Sequence, residues 1–144
     1  MSDGRCRRTM LGMFLGIVLA GPTVAEESRS EFDCQMDHIR IASSQSFLVN
    51  FCFIPEAIEL NKASRIFAII KPSKEAESLE VDLSFDARMP LHAHGTVTTP
   101  GVRPVGDGFL VEGVVFHMPG NWELYFDIHF ENKQERASYA LEVF

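Results

Sequence analysis

Two short segments of this chain concentrate side chains that bind transition metals. Residues 89–95 read MPLHAHG and residues 116–122 read FHMPGNW, so that three of the five histidines fall within them. Imidazole nitrogen suits copper, zinc, iron and nickel, whereas a thioether sulfur selects Cu(I). The combination of histidine and methionine therefore points to copper rather than zinc.

The spacing of these residues defines a candidate ligand set. In an extended chain His92 and His94 project to the same side, where two imidazoles could chelate one ion. His117 and Met118 are neighbours and would point to opposite faces of a strand, so only one of them could readily join the pair. The predicted copper ligands are Met89, His92, His94, His117 and Met118.

A structural interpretation is open for the same residues. Met89 shares the alternation of Leu83 and Phe85 and could simply extend the core. Paired histidines in a loop can also be plain surface residues. Trp122 begins an alternating apolar stripe and is predicted to be a core residue.

The chain lacks the sequence motifs of common enzyme active sites. It has no Gly-x-Ser-x-Gly nucleophile motif, no HExxH zinc motif and no glycine-rich phosphate loop. Its serine, histidine and aspartate residues show no recognisable arrangement of a catalytic triad. We therefore expect a binding protein rather than an enzyme.

The N-terminus has the three parts of a secretion signal. Three arginines lie within residues 1–9, residues 10–20 are apolar, and Thr23 and Ala25 supply a small-x-small end. The apolar run is much shorter than the ~20 residues of a membrane span, and an uncleaved anchor is the alternative. We predict a signal peptide over residues 1–25, cleavage after Ala25, and a periplasmic or secreted protein.

Two cysteines remain once Cys6 is removed with the signal peptide. In an oxidising compartment an even number of cysteines suggests a disulfide, here between Cys34 and Cys52. The two lack the C-x-x-C spacing of a metal site. A ligand role is the alternative for Cys34, because it lies close to Met36 and His38.

Net charge excludes two classes of partner. The full chain carries a formal net charge of −7, and removal of the basic signal peptide would make the mature protein more acidic. Such a domain repels the phosphates of nucleic acids and of anionic lipids. We therefore expect no nucleic-acid partner.

The rest of the chain reads as short strands behind a polar arm. Residues 26–45 are polar and mixed, and we predict an arm tied down by Cys34. Proline and glycine separate the strands that follow, a pattern typical of an antiparallel sandwich. The predicted fold is all-β, an immunoglobulin-like antiparallel β-sandwich over residues 46–144. Its strands are predicted from the apolar or alternating segments 46–54, 65–70, 79–86, 109–116, 122–131 and 138–144.

Three segments in a fixed order resemble the YtkA-like domain family. They are residues 85–95 (FDARMPLHAHG), residues 106–113 (GDGFLVEG) and residues 116–124 (FHMPGNWEL), and the similarity covers about residues 46–144. The family consists of small exported or membrane-anchored domains, similar in outline to FixH-type proteins of oxidase assembly. The resemblance implies an immunoglobulin-like sandwich and a link to bacterial copper handling or respiratory-complex assembly. It places the five candidate ligands at motif positions.

These observations lead to one main hypothesis and one alternative. The chain is predicted to be an exported copper-handling protein that binds a copper ion through loop histidine and methionine residues. It would pass the ion to a membrane respiratory or copper-transport protein. The alternative is a metal-free interaction module, including an accessory factor in respiratory-complex assembly, in which the two motif segments serve as structural corners.

Overall fold

The computed structural model describes residues 34–73 and 80–144. The predicted signal peptide, its cleavage site and the first part of the predicted arm lie outside these residues. Within the described part of the chain no helix is long and apolar enough to cross a membrane. Strands account for nearly all of the regular structure, which confirms the all-β prediction.

Nine strands and two short 3₁₀ turns make up the described chain. One turn, Met36–His38, precedes the first strand, and the other, Pro90–His92, follows the fourth. The strands are β1 (Arg40–Ser43), β2 (Phe47–Ile54), β3 (Ala63–Pro72), β4 (Val81–Met89), β5 (His94–Gly95), β6 (Gly101–Val105), β7 (Gly108–Val115), β8 (Gly120–Phe130) and β9 (Lys133–Val143).

All strand pairs are antiparallel and form one continuous sheet in the order β5-β4-β8-β9-β1-β2-β3-β7-β6. The sheet curls into two layers, one of β5, β4, β8 and β9 and the other of the remaining strands. The layers join where β1 meets β9 at one residue pair, Ser43 with Ser138. On the other side β4 approaches β6. The predicted sandwich-like architecture is confirmed, and it arises from a single folded-over sheet.

Aromatic side chains from the two layers meet in one core. Phe51 of β2 packs on Phe126 of β8 with ring centroids 4.8 Å apart, and Phe47 packs on Phe130 at 4.9 Å. Alternation in β4 and β8 directs apolar side chains inward, as the period of two in a strand requires. Trp122 near the start of β8 is 1% exposed, which confirms it as a core residue.

Parts of the sheet differ from the strands expected from the sequence. Residues 40–43, assigned to the polar arm, form β1 between β9 and β2, where Ala42 is buried. Residues 101–105, where the sequence pattern predicts no strand, form the edge strand β6, and β9 begins at Lys133 rather than at Ser138. Short or polar strands at an edge or a junction bury few side chains. Their alternating apolar pattern is therefore weak in the sequence.

The predicted disulfide is present between Cys34 and Cys52, whose Cα atoms are 5.8 Å apart. Cys52 packs with Phe67 and Leu110 in a small apolar cluster that is separate from the main core. The bond fastens the arm over this cluster. Because both sulfurs are bonded to each other, they are not available as metal ligands, and the alternative ligand role of Cys34 is excluded in this state.

Candidate functional site

The connection after β4 positions two of the candidate histidines. β4 ends at Met89, Pro90–His92 form the 3₁₀ turn, and Ala93 follows in the left-handed region at φ 55°. The chain then returns along β4, with His94 paired to Met89. Proline presets φ for the first turn residue, and the positive φ of Ala93 reverses the direction of the chain.

The extended geometry predicted for His92 and His94 is therefore wrong. The two residues lie on either side of a reversal rather than on one side of a strand. Their rings are nevertheless neighbours, with centroids 5.7 Å apart and planes inclined by 40°. The two imidazoles are therefore close together, as predicted, but the cause is the turn between them. It is not the alternation of side chains along a strand.

His117 reaches the same place from a second connection. It lies between the end of β7 at Val115 and the start of β8 at Gly120. Its ring centroid is 5.2 Å from that of His94. The three imidazoles thus form a row with His94 in the middle. Of the two neighbours His117 and Met118, the histidine is the one that joins this row.

The two candidate methionines lie in or against the core. Met89 is 2% exposed and belongs to the main apolar cluster. Its terminal methyl lies so close to Gly120 that a Cβ at that glycine would approach it to 3.1 Å, and Gly120 also has a φ of 126°. Met118 is half-buried against the same cluster. Burial therefore favours the core interpretation of Met89 over a ligand role.

Trp122 forms a wall beside the imidazoles. Its ring centroid lies 5.7 Å from that of His117 and 6.5 Å from that of His94. The indole N–H donates a hydrogen bond of 3.0 Å to the carbonyl oxygen of Met118, which fixes the ring. The sequence pattern does not predict this contact, because it depends on the bend between β7 and β8. We call His92, His94, His117 and Trp122 the histidine end of the sandwich.

Two imidazole nitrogens at the histidine end have no hydrogen-bond partner among the described residues. The Nδ1 atoms of His94 and His117 are buried and make no hydrogen bond within the described residues. We call these two atoms the orphan nitrogens. His92, by contrast, is exposed. Buried polar atoms in native proteins are nearly always paired, so an orphan requires an explanation such as a bound ion.

The spacing of the rings fits two histidine ligands better than three. With metal–nitrogen distances of ~2.0–2.1 Å and tetrahedral geometry, two imidazoles on one ion have ring centroids about 5 Å apart. The 5.2 Å between His94 and His117 matches this value, and the 5.7 Å between His92 and His94 is wider. Across residues 34–73 and 80–144, no group of three or more His, Cys, Asp or Glu side chains is arranged to hold a metal ion. A three-histidine site would require the exposed His92 to rotate toward the other two rings.

The other two histidines have partners elsewhere. Nε2 of His129 lies 3.0 Å from the hydroxyl oxygen of Ser84 on the outer face of the sheet. Nδ1 of His38 lies 2.9 Å from a carboxylate oxygen of Glu56. These side chains are therefore explained by their own contacts and stand apart from the histidine end.

A cleft opens at the opposite end of the sandwich, where β4 begins and β8 ends. Its volume is about 1060 Å³. The candidate copper ligands, all of which are described, lie outside its lining. The cleft is therefore separate from the histidine end, and its lining mixes apolar and charged side chains, including Val81, Phe109, Phe130, Glu80, Glu131 and Lys133.

Comparison with known proteins shows the fold and no family. No protein-family model and no curated protein matches this chain. The chain is similar to the crystal structure of a DUF4426 family protein (PA0388) from Pseudomonas aeruginosa PAO1, with a TM-score of 0.52 and 9% sequence identity over 76% of this chain and 98% of that chain. At this identity the likeness shows the fold alone. The resemblance to the YtkA-like family stays a prediction from its three motif segments.

Proposed function

We propose that this protein is an exported, non-catalytic copper-binding protein whose site is the histidine end of the sandwich. The observation that carries the proposal is the pair of orphan nitrogens on His94 and His117, whose rings are 5.2 Å apart. Two unpaired buried nitrogens on neighbouring rings destabilise the metal-free protein, and one cation bound by both rings would satisfy them together. His92, which is exposed and next to His94, supplies a third imidazole by rotating inward.

The donor types favour copper over the other transition metals. The affinity of nitrogen ligands for first-row divalent ions reaches its maximum at Cu(II). The thioether argument for Cu(I) is weaker than the sequence suggests, since Met89 belongs to the core and Met118 packs against it. The donors that remain are imidazole nitrogens, so we expect Cu(II) to bind more tightly than Zn(II).

The exposure of the three histidines suits a protein that passes its ion on. A carrier needs an entry ligand that exchanges readily and inner ligands that hold the ion. His92 is exposed, whereas His94 and His117 are half-buried. An ion can move between His92 and the inner pair without disturbing the core. The acceptor that the family resemblance implies is a membrane respiratory or copper-transport protein.

Competition titration against a chelator tests the proposal. The mature protein is titrated with Cu(I), Cu(II) and Zn(II), alongside a double variant with His92→Ala and His94→Ala. Loss of even an outer-shell partner of a metal ligand costs about 10–100-fold in affinity, so we expect the double variant to lose at least about a hundredfold. His129→Ala is the matched control and should bind as the wild type does. Equally weak copper binding by the wild type and the double variant would contradict the proposal.

A metal-free interaction module is the second candidate. Two observations favour it: the lack of a preformed three-donor group in the described residues, and the exposure of Leu91 (87%) and Val97 (65%) in the connection from β4 to β6. Large apolar side chains exposed on one connection are candidates for contact with a partner. If copper does not bind, capture of a membrane partner that is lost on Leu91→Asp with Val97→Asp would support this second function.

A further inference from the structure

The two orphan nitrogens are the same atom, Nδ1, in two histidines from different connections. A neutral imidazole has one N–H donor and one bare acceptor nitrogen. If the proton sat on Nδ1, a buried N–H would have no acceptor, which native proteins avoid more strictly than an unpaired acceptor. The tautomer with the proton on Nε2 is therefore favoured for both His94 and His117, and it leaves a bare lone pair on each buried Nδ1.

We infer that His94 and His117 bind the copper ion through Nδ1, with both Nε2–H groups directed away from it. This inference rests on the proposed function and specifies the donor atoms of that site. A cation satisfies two lone pairs at once, and the 5.2 Å between the two ring centroids suits two imidazoles on one ion. Because both orphan nitrogens are buried, an ion held by them would be shielded from solvent.

Trp122 packs beside both imidazoles and is the natural reporter of the site. Its ring centroid is within 6.5 Å of both imidazole centroids, and its N–H is held by the carbonyl of Met118. It is the single tryptophan of the chain. Cu(II) bound through the orphan nitrogens should therefore quench nearly all of the tryptophan fluorescence in parallel with saturation of the site.

Nitrogen-15 NMR of histidine side chains tests the donor assignment directly. In the metal-free mature protein, we expect the neutral imidazoles of His94 and His117 to show a bare Nδ1 and a protonated Nε2. Adding diamagnetic Zn(II), or Cu(I) without oxygen, should shift their Nδ1 signals and leave those of His38 and His129 in place. A shift at Nε2 would overturn this inference and leave the proposed function intact. If no histidine signal moves, both fail.

A matched pair of substitutions gives a second test that does not depend on NMR. The side-chain oxygen of asparagine occupies nearly the place of Nδ1 in histidine, whereas that of glutamine occupies nearly the place of Nε2. We expect His117→Asn to bind copper at least about tenfold more tightly than His117→Gln, within the range that altered ligation produces. An equal or reversed ranking would overturn Nδ1 coordination. Circular dichroism of the two metal-free variants controls for folding.

Discussion

Histidine and aromatic side chains occur both at the histidine end and on the outer face of β4, β8 and β9. On the outer face their polar atoms are paired. Arg136 donates two hydrogen bonds to the carboxylate of Asp127, at 2.7 and 2.8 Å, and lies over the ring of Tyr125 at 4.6 Å. The Tyr125 hydroxyl in turn donates to Glu123 at 2.9 Å. At the histidine end, by contrast, the orphan nitrogens of two imidazoles are unpaired among the described residues, although the indole of Trp122 beside them is buried.

The pairing on the outer face sets the protonation of its members. The hydrogen bonds from Arg136 lower the pKa of Asp127 below the usual aspartate range, although burial acts in the opposite direction. The hydrogen bond to Glu123 raises the pKa of Tyr125, and burial adds to the rise. Both residues therefore keep one protonation state around neutral pH.

The difference between the two regions separates stability from binding. A paired polar group offsets its own desolvation and contributes to folding, whereas an unpaired buried one costs free energy that a ligand can recover. We therefore expect substitutions on the outer face to change the free energy of unfolding. Substitutions of the orphan-bearing residues should instead weaken metal binding without destabilising the metal-free protein.

The largest effect on stability is expected where the histidine end meets the core. Met89→Ala should lower the free energy of unfolding by about 2–5 kcal/mol, because it removes a fully buried side chain. Denaturant unfolding measures this cost, and Met118→Ala, at a half-buried position, should cost less. If Met89 is instead a ligand, stability will hold, and Cu(I) affinity will fall while Cu(II) affinity is spared.

An intermediate effect is expected on the outer face. Arg136→Ala should lower the free energy of unfolding at pH 7 by about 1–2 kcal/mol, because Asp127 loses two hydrogen bonds while Arg136 is itself half-exposed. Arg88→Ala, which breaks an exposed pair with Asp86, is the control and should cost less than Arg136→Ala.

The same variant has a predictable pH dependence. Because the folded-state pKa of Asp127 is lowered, its contribution is complete above the ordinary aspartate pKa of about 3.9 and is lost as the pH falls through the folded-state value. The difference in unfolding free energy between wild type and Arg136→Ala should therefore shrink on acidification below about pH 4. A difference that is equal at pH 7 and pH 2 would show that Arg136 acts through packing alone.

The smallest expected effect on stability comes from replacing a histidine by phenylalanine. It is the most diagnostic, because the change in stability should have opposite signs at the histidine end and on the outer face. His117→Phe should raise the stability of the metal-free protein by about 0.5–1 kcal/mol, since it removes an orphan nitrogen and keeps an aromatic ring beside Trp122. It should also abolish tight copper binding. His129→Phe, which breaks the bond to Ser84, should leave stability unchanged or slightly lower and copper binding intact. Thermal unfolding in the presence of a chelator compares the two variants. If only His129→Phe stabilises the protein, the proposed difference between the histidine end and the outer face is wrong.

Much of the fold follows from local properties of the sequence. Period-two alternation in β4 and β8 predicts which side chains face the core, and the two cysteines outside the predicted signal peptide predict the Cys34–Cys52 bond. The strands β1 and β6 are not predictable in this way. Each is short and is stabilised by pairing with the next strand along the chain, β2 for β1 and β7 for β6, rather than by an apolar pattern of its own.

The candidate site likewise has features that the local sequence predicts and features that depend on tertiary contacts. The sequence by itself determined that imidazoles cluster in two segments near strand ends, because residue type and order are local. Only the tertiary structure decided that His117 rather than Met118 joins the row, that Met89 is core, and that the Nδ1 atoms of His94 and His117 are buried without partners among the described residues. The burial and pairing of a polar atom depend on what distant segments place around it. In this protein those segments are the connections at the ends of β4 and β7, which the folded-over sheet brings together.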